Sequence, residues 1–144
     1  MLADRERLPV TLDPVQGEAL DGYLERVADA NHIAPAALLH EVRRAGTPRF
    51  LVLSPAAPVI ARVAALTGQP ESTICSATLN SLNGTAFDLT GFDPQLPATY
   101  RTMAARGWGP TNGTQLCPHC LADSGVWALG WRTPFSAVCA RHGV

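Results

Sequence analysis

Two stretches decide how the last third of this chain folds: Cys117-Pro118-His119-Cys120 and Cys139-Ala140-Arg141-His142. Each one places two metal-binding side chains three positions apart, a spacing at which a single turn can aim both at one ion. Zinc in structural sites takes four such ligands in a tetrahedron. The sequence therefore predicts one structural Zn²⁺ bound by Cys117, Cys120, Cys139 and His142. Because all four positions are filled, none is open for a catalytic water.

An iron–sulfur cluster or a redox-active thiol pair is the alternative use of these cysteines. A disulfide would give His142 no role and would gain little in a cytosolic chain. His119 is expected to face solvent, and it would become a ligand only if His142 were free. The fourth cysteine, Cys75, stands alone in a helical pattern and is expected to be a small buried hydrophobic side chain. The remaining histidines, His32 and His40, are expected at the surface or at a helix cap.

Composition limits the architecture and the partners. With 144 residues, of which 47% are hydrophobic and 16% charged, the chain can form one globular unit or two small ones. Its net charge is −1, and all eleven basic residues are arginines spread along the sequence, which argues against strong nonspecific DNA binding. No apolar run approaches the ~18 residues that a membrane span needs. We therefore expect a cytoplasmic protein with no membrane contact.

Hydrophobic periodicity predicts two pairs of helices in the first 84 residues. The first pair comprises Glu18 to Ala30 and Pro35 to about Arg44, and the second comprises Pro55 to Thr67 and a helix from Pro70 to Leu82. In each pair a short turn leads to a helix that proline starts. Each pair is therefore helix-turn-helix-like, although an ordinary packed helical hairpin has the same pattern and is favoured by sequence alone.

The predicted fold is mainly α, a helix-turn-helix-like helical domain followed by a small zinc-binding module. We divide it into a helical domain at 1–84, a linker with a short helix at 85–113, and the zinc-finger module at 114–144. The short helix is predicted over 98–106. Alternation from Trp127 to Trp131 predicts a short strand whose aromatic side chains cover the metal.

Further residues form a pattern with the metal ligands. They are Leu8-Pro9-Val10, the stretch from Gly17 to Ala28 with Asn31, Leu121-Ala122 after the first cysteine pair, the run from Trp127 to Phe135, and Gly143 after His142. Together they resemble the signature of the TniQ family, which includes the target selector TnsD, over its amino-terminal helical region and first zinc finger. The metal-binding half is the more specific, because the tryptophans and Arg132 agree with the family pattern as well as the ligands.

The resemblance implies an adaptor in transposition that links target-site recognition to an AAA+ transposition ATPase of the TnsC or TniB type. The implied further partners are transposon or target DNA and an RNA-guided targeting complex. The net charge predicts that DNA is contacted weakly or indirectly, and a second copy of the chain is a further candidate partner. The resemblance also implies helix-turn-helix and zinc-finger parts, with the ligand role on Cys117, Cys120, Cys139 and His142. Family members commonly continue with a second cysteine pair and further helices, so we expect a fragment or a very short member.

The surface residues expected to contact the ATPase are arginines on the two helix pairs, since exposed arginine is favoured at interfaces. They are Arg26, Arg43, Arg44 and Arg62. Solubility alone would equally explain an arginine at each of these positions.

Two other classes of function, a zinc-dependent enzyme and a DNA-binding regulator, are alternatives to the adaptor. A zinc-dependent deaminase pairs its cysteines with a His-x-Glu motif, whereas here Glu41 directly follows His40. The sequence also supports no Ser-His-Asp order, phosphate-cradling loop or pair of catalytic carboxylates, so we expect no enzyme. The alternative function is a zinc-stabilised helix-turn-helix DNA-binding regulator that places the helix after Pro35 or after Pro70 in the major groove. Ala36 and Ala37 would read bases poorly at the start of the former helix.

Overall fold

The computed structural model describes residues 7–86, 88–106 and 115–144. Within these ranges there are six α-helices, two short 3-10 helices and no strand, so the predicted mainly helical class is confirmed. The α-helices are α1 (Leu20–Ala30), α2 (Pro35–Arg43), α3 (Ala57–Thr67), α4 (Glu71–Ser76), α5 (Ala98–Ala104) and α6 (Pro118–Ser124), and the 3-10 helices are Leu79–Leu82 and Leu129–Arg132.

The first four helices form the two predicted pairs and enclose the larger hydrophobic core. Helix α1 packs on α2, α2 on α3, and α3 on α4. Leu20, Tyr23 and Val27 lie on one face of α1 and are fully buried, as their helical spacing predicts. Helix α1 ends where His32 takes a left-handed φ of 53°, and the side chain of His32 is exposed. Its predicted role as a surface or cap residue is thereby confirmed, and His40 is exposed as well.

The segment before α1 closes one end of this core through Asn31. The amide nitrogen of Asn31 donates to the carbonyl oxygens of Val10 and Val27, both at 2.8 Å, and its oxygen accepts from the Val10 N–H at 2.9 Å. Leu8 is 2% exposed, and its N–H donates to the carbonyl oxygen of Leu66 at 2.8 Å. Asn31 therefore caps the end of α1 and also fixes the segment around Val10 that precedes this helix.

The fourth helix is shorter than predicted. The periodicity predicted a single helix from Pro70 to Leu82, whereas α4 ends at Ser76 and a 3-10 helix follows after a break at Ala77 and Thr78. The cause is long-range: the N–H groups of Leu79 and Asn80 donate to the carbonyls of Val52 and Leu53, both at 2.8 Å, instead of to the preceding turn. Cys75 is half-buried, so the expectation of a buried thiol was wrong, although partial burial still raises its pKa.

A second core cluster joins the middle and the end of the chain to the helices. Leu89 and Met103 from the middle segment pack there with Phe50, Leu79 and Leu129, and Ala19 and Leu53 complete the buried set. Phe92 contacts Phe50 edge to face, with ring centroids 5.0 Å apart. The segment that we predicted as a linker thus contributes buried side chains. The three-part domain division itself stays a prediction.

Candidate metal centre and its contact with the helices

The first pair of ligands lies at the start of α6. Cys117 is the residue that precedes the helix, and Pro118 takes the first helical position, where its missing N–H costs no hydrogen bond. The N–H of Cys120 donates to the sulfur of Cys117 at 3.5 Å. The two thiols are therefore held on one side of the first turn, as the spacing predicted. Gly125 ends α6 in a left-handed conformation with φ of 66°.

The second pair of ligands lies in a tight turn. The N–H of Gly143 donates to the carbonyl oxygen of Cys139 at 2.8 Å, and the N–H of Cys139 donates to the carbonyl oxygen of Val144 at 2.6 Å. Gly143 has a φ of 68°, in the left-handed region that glycine adopts without strain. This turn brings the side chains of Cys139 and His142 to the same side without a proline after the cysteine.

The fold brings all four predicted ligands together. Their ligand atoms lie within 4.8 Å of one another. The sulfurs of Cys117 and Cys120 are each 3.3 Å from Nδ1 of His142, and the sulfur of Cys139 is 3.6 Å from that nitrogen and 3.7 Å from the sulfur of Cys120. Tetrahedral zinc, with bonds of about 2.3 Å to sulfur and 2.0–2.1 Å to nitrogen, places its ligand atoms roughly 3.5–3.8 Å apart. The cluster could therefore hold a metal ion, and its donors and spacing fit zinc.

The same distances bear on the alternative uses of the cysteines. The 3.7 Å between Cys120 and Cys139 is far longer than a disulfide bond of about 2.05 Å, and all four cysteines are free thiols. His119 is exposed, as predicted, and its ring centroid lies 5.3 Å from that of His142. His119 is thus beside the cluster but outside the group of four ligands.

The thiols of the cluster differ in acidity. Hydrogen bonds from the backbone N–H groups of His142 and Arg141 lower the pKa of Cys139 to about 6. Loss of hydration raises the pKa of Cys120 to about 11, and hydrogen bonds with Cys139 and Cys117 act in the same direction. A metal ion binds cysteine as the thiolate, so hydrogen bonding that lowers the pKa of Cys139 favours coordination, while Cys120 would release its proton when a metal binds.

Backbone hydrogen bonds join the segment after α6 to the start of α1. The N–H of Ala19 donates to the carbonyl oxygen of Trp127 at 2.8 Å, and the N–H of Leu129 donates to that of Gly17 at 2.7 Å. They form an isolated antiparallel bridge between Glu18 and Ala128. The predicted strand from Trp127 to Trp131 was wrong, because only one residue pairs in this way before the chain enters a 3-10 helix.

Side chains reinforce this junction. A Cβ atom on Gly22 would lie 2.7 Å from the Cβ of Trp127, so only glycine lets α1 approach the indole this closely. The guanidinium of Arg132 lies 5.2 Å from the centre of the Trp127 ring and pairs with Asp21. The two tryptophans, Trp127 and Trp131, contact each other edge to face at 5.9 Å. These aromatic side chains therefore connect the metal-binding segment to α1.

Glu18, at this junction, is a buried carboxylate that sequence reasoning missed. It is 1% exposed, and its oxygens accept from Nε of Arg26 at 2.7 Å, from a terminal nitrogen of Arg26 at 2.8 Å and from the N–H of Val15 at 2.9 Å. The hydrogen bond to Glu18 raises the pKa of Arg26 above its usual value. A glutamate outside the apolar face, followed eight residues later by an arginine, was the only signal available from the sequence.

The four arginines predicted to contact a partner differ in their surroundings. Arg26 is paired with Glu18, and Arg62 lies 3.2 Å from the buried carboxylate of Glu41; their side chains are only 30% and 22% exposed. Arg44 also contacts Glu41 at 3.2 Å, but 53% of its side chain is exposed, and Arg43 is exposed. The solvent-facing arginines of the set are therefore Arg43 and Arg44. A role of any of the four in partner binding stays a prediction.

The comparisons with known proteins identify a family. The family model TniQ matches residues 9–144, which include all four predicted metal ligands. Comparison with curated proteins and with solved structures gives no match. TniQ membership supports a role associated with transposition, in a family of accessory proteins that is not a known enzyme family. In the part of the chain that the structure describes, no helix has the length and apolar character to cross a membrane.

Proposed function

This chain belongs to the TniQ family, and from that premise we propose that it is an adaptor in transposition, linking target-site recognition to an AAA+ regulator ATPase. The observation that carries the proposal is the family match across residues 9–144. The proposal places the chain in the cytoplasm, where such an ATPase meets target DNA. The adaptor is proposed to act by binding and not by catalysis.

We propose that one Zn²⁺ holds the carboxy-terminal segment in shape, with Cys117, Cys120, Cys139 and His142 as its ligands. A bound zinc would supply structural crosslinking between the two ligand pairs. Four protein ligands complete a tetrahedron, so the set provides no position for a catalytic water. The buried carboxylates of Glu18 and Glu41 are each paired with arginine, which suits structural roles better than acid–base chemistry.

Binding to the ATPase is the direct test of the adaptor function. The chain should bind an AAA+ transposition ATPase of the TnsC or TniB type when that ATPase is assembled on DNA with nucleotide, and interferometry measures this. We expect the Arg43→Ala/Arg44→Ala pair to bind at least about tenfold more weakly, since both arginines are exposed on one helix end.

The matched control for this pair is Arg7→Ala/Arg101→Ala, which removes two exposed arginines from other parts of the surface. This control should bind as wild type does. Failure of the wild-type chain to bind would contradict the adaptor function. Equal binding by the Arg43/Arg44 variant would reject only that surface.

Isolated chain should bind duplex DNA weakly, with a Kd no tighter than about 1 μM at physiological salt. The physical reason is charge: the net charge is −1, and Arg26, Arg44, Arg62 and Arg132 are each engaged with a carboxylate of the chain. A salt titration with specific and scrambled duplexes measures it. Tight sequence-selective binding would contradict this prediction and favour the DNA-binding regulator instead.

A further inference from the structure

A groove runs along the connection between α2 and α3, and nothing in the proposed metal centre uses it. It consists of two adjoining clefts of about 480 and 710 Å³ that share Pro48, Arg49 and Leu51 in their walls. We call it the 46–53 groove, after the residues of its floor and edge. Clefts of this size suit a short peptide segment or a small molecule.

The floor of the 46–53 groove is apolar and firmly held. Leu51 is 8% exposed, and Leu39 of α2 is partly buried beside it. The N–H of Leu51 donates to the carbonyl of Pro48 at 3.0 Å, and the carbonyls of Val52 and Leu53 accept from the 3-10 helix at 2.8 Å. A floor fixed in this way loses little conformational entropy when another chain packs on it.

The edge of the groove is positively charged although the whole chain carries a net charge of −1. Among the residues that the structure describes, three arginines, Arg43, Arg49 and Arg132, line the two clefts, against one carboxylate, that of Asp21. Arg132 pairs with Asp21, while Arg43 and Arg49 are exposed at the edge. The described lining residues therefore carry a net charge of about +2 beside apolar surface.

We infer that the 46–53 groove binds an acidic peptide segment of a partner protein, with one or more large apolar side chains on the floor and carboxylates beside Arg43 and Arg49. Arginine pairs well with carboxylates, and the apolar floor gives the complementary side chains an area to bury. The inference rests on the proposed function for the identity of that partner, since the adaptor's ATPase is the protein expected to supply the segment.

A nucleic acid fits the groove less well. Single strands bind by stacking bases on free aromatic faces along a basic track. Here the ring of Phe50 already contacts Phe92 edge to face, and the guanidinium of Arg49 covers it at 5.4 Å. Tyr100 lies against the same ring at a centroid distance of 5.4 Å. The aromatic side chains of this region are therefore committed to the core.

The test uses a random-peptide display library selected on the full chain with zinc, which requires no knowledge of the partner. We expect enriched peptides that combine Asp or Glu with Leu, Met or Phe. The strongest peptide, titrated by fluorescence anisotropy, should bind Arg43→Glu/Arg49→Glu at least about tenfold more weakly than wild type. Arg7→Glu, an exposed arginine beside Gly68 at the other end of α3, is the matched control and should bind within about twofold.

Several results would overturn the inference: no enrichment, a basic consensus, or equal weakening by Arg7→Glu. Retention of the peptide by the double variant would do so as well. A single-stranded oligonucleotide that binds more tightly than the peptide and is lost in the same variant would assign the groove to nucleic acid instead. If acidic, apolar peptides are enriched and bind through Arg43 and Arg49 but the ATPase does not bind the chain, the adaptor function is rejected and the peptide-binding role of the groove is supported. If the ATPase binds the wild type and the Arg43→Glu/Arg49→Glu variant equally, the ATPase binds another surface of the chain, and the groove is rejected as its binding site.

Discussion

The purified chain is expected to contain about one zinc ion per molecule and to lose it when Cys139 is replaced by serine. Cys139→Ser removes one of the four predicted ligands, leaving three donors in a site spaced for four. Elemental analysis by mass spectrometry measures the metal. The near-ultraviolet signal of the tryptophans should fall with it, because Trp127 and Trp131 lie in the segment between the two ligand pairs.

The helical part should survive this loss. The larger core is formed by residues of the first 77 positions, and none of its members comes from the metal-binding segment. The far-ultraviolet helical signal should therefore be largely retained while the tryptophan signal is lost. Collapse of both signals together would show that the metal stabilises the whole chain.

Cys75→Ser provides the matched control for the zinc prediction. It makes the same chemical change in α4, on a half-buried thiol outside the four-residue cluster. This variant should keep its zinc and its tryptophan signal. Absence of zinc from the wild type, iron in its place, or equal metal loss from Cys75→Ser would contradict the structural-zinc proposal.

The ligand cluster could be predicted from the sequence because its geometry is mainly local. Cys117 and Cys120 lie in one turn of α6, and Cys139 and His142 lie in another tight turn, so each pair is positioned by its own few residues. Only the meeting of the two pairs depends on the rest of the fold. The helices were predictable for a similar reason, since their apolar spacing records which face is buried.

The features that sequence reasoning missed depend on distant parts of the chain. Helix α4 stops early because the backbone of Leu79 and Asn80 bonds to the connection between α2 and α3. The expected strand is reduced to a single bridge because Ala128 pairs only with Glu18, more than a hundred residues away. Hydrophobic periodicity predicts which side chains are buried, but it does not predict which backbone groups form hydrogen bonds with distant residues. Neither the early end of α4 nor the single bridge at Ala128 could therefore be predicted from the neighbouring sequence.

Replacing Glu18 with alanine should destabilise the chain by about 2 to 3 kcal/mol, which corresponds to a melting temperature lower by about 10 °C. Loss of one partner of a fully buried ion pair costs about 3–5 kcal/mol. The predicted cost is smaller here because 30% of the Arg26 side chain is exposed, so its guanidinium can be hydrated once Glu18 is removed. Thermal and urea unfolding monitored by circular dichroism measure the effect. Glu25→Ala, which removes an exposed glutamate from α1, should change stability by no more than about 0.5 kcal/mol.

The Glu18 and Arg26 variants also decide what Arg26 does. If the pair is structural, Glu18→Ala and Arg26→Ala should each destabilise the chain, and the double variant should show less than the sum of the two effects. In that case, a variant that binds the ATPase more weakly should also be less stable. Both effects would have the same cause, which is disorder where the segment at Glu18 pairs with Ala128. An Arg26→Ala chain that melts as wild type does but no longer binds the ATPase would instead show that the guanidinium contacts the partner directly.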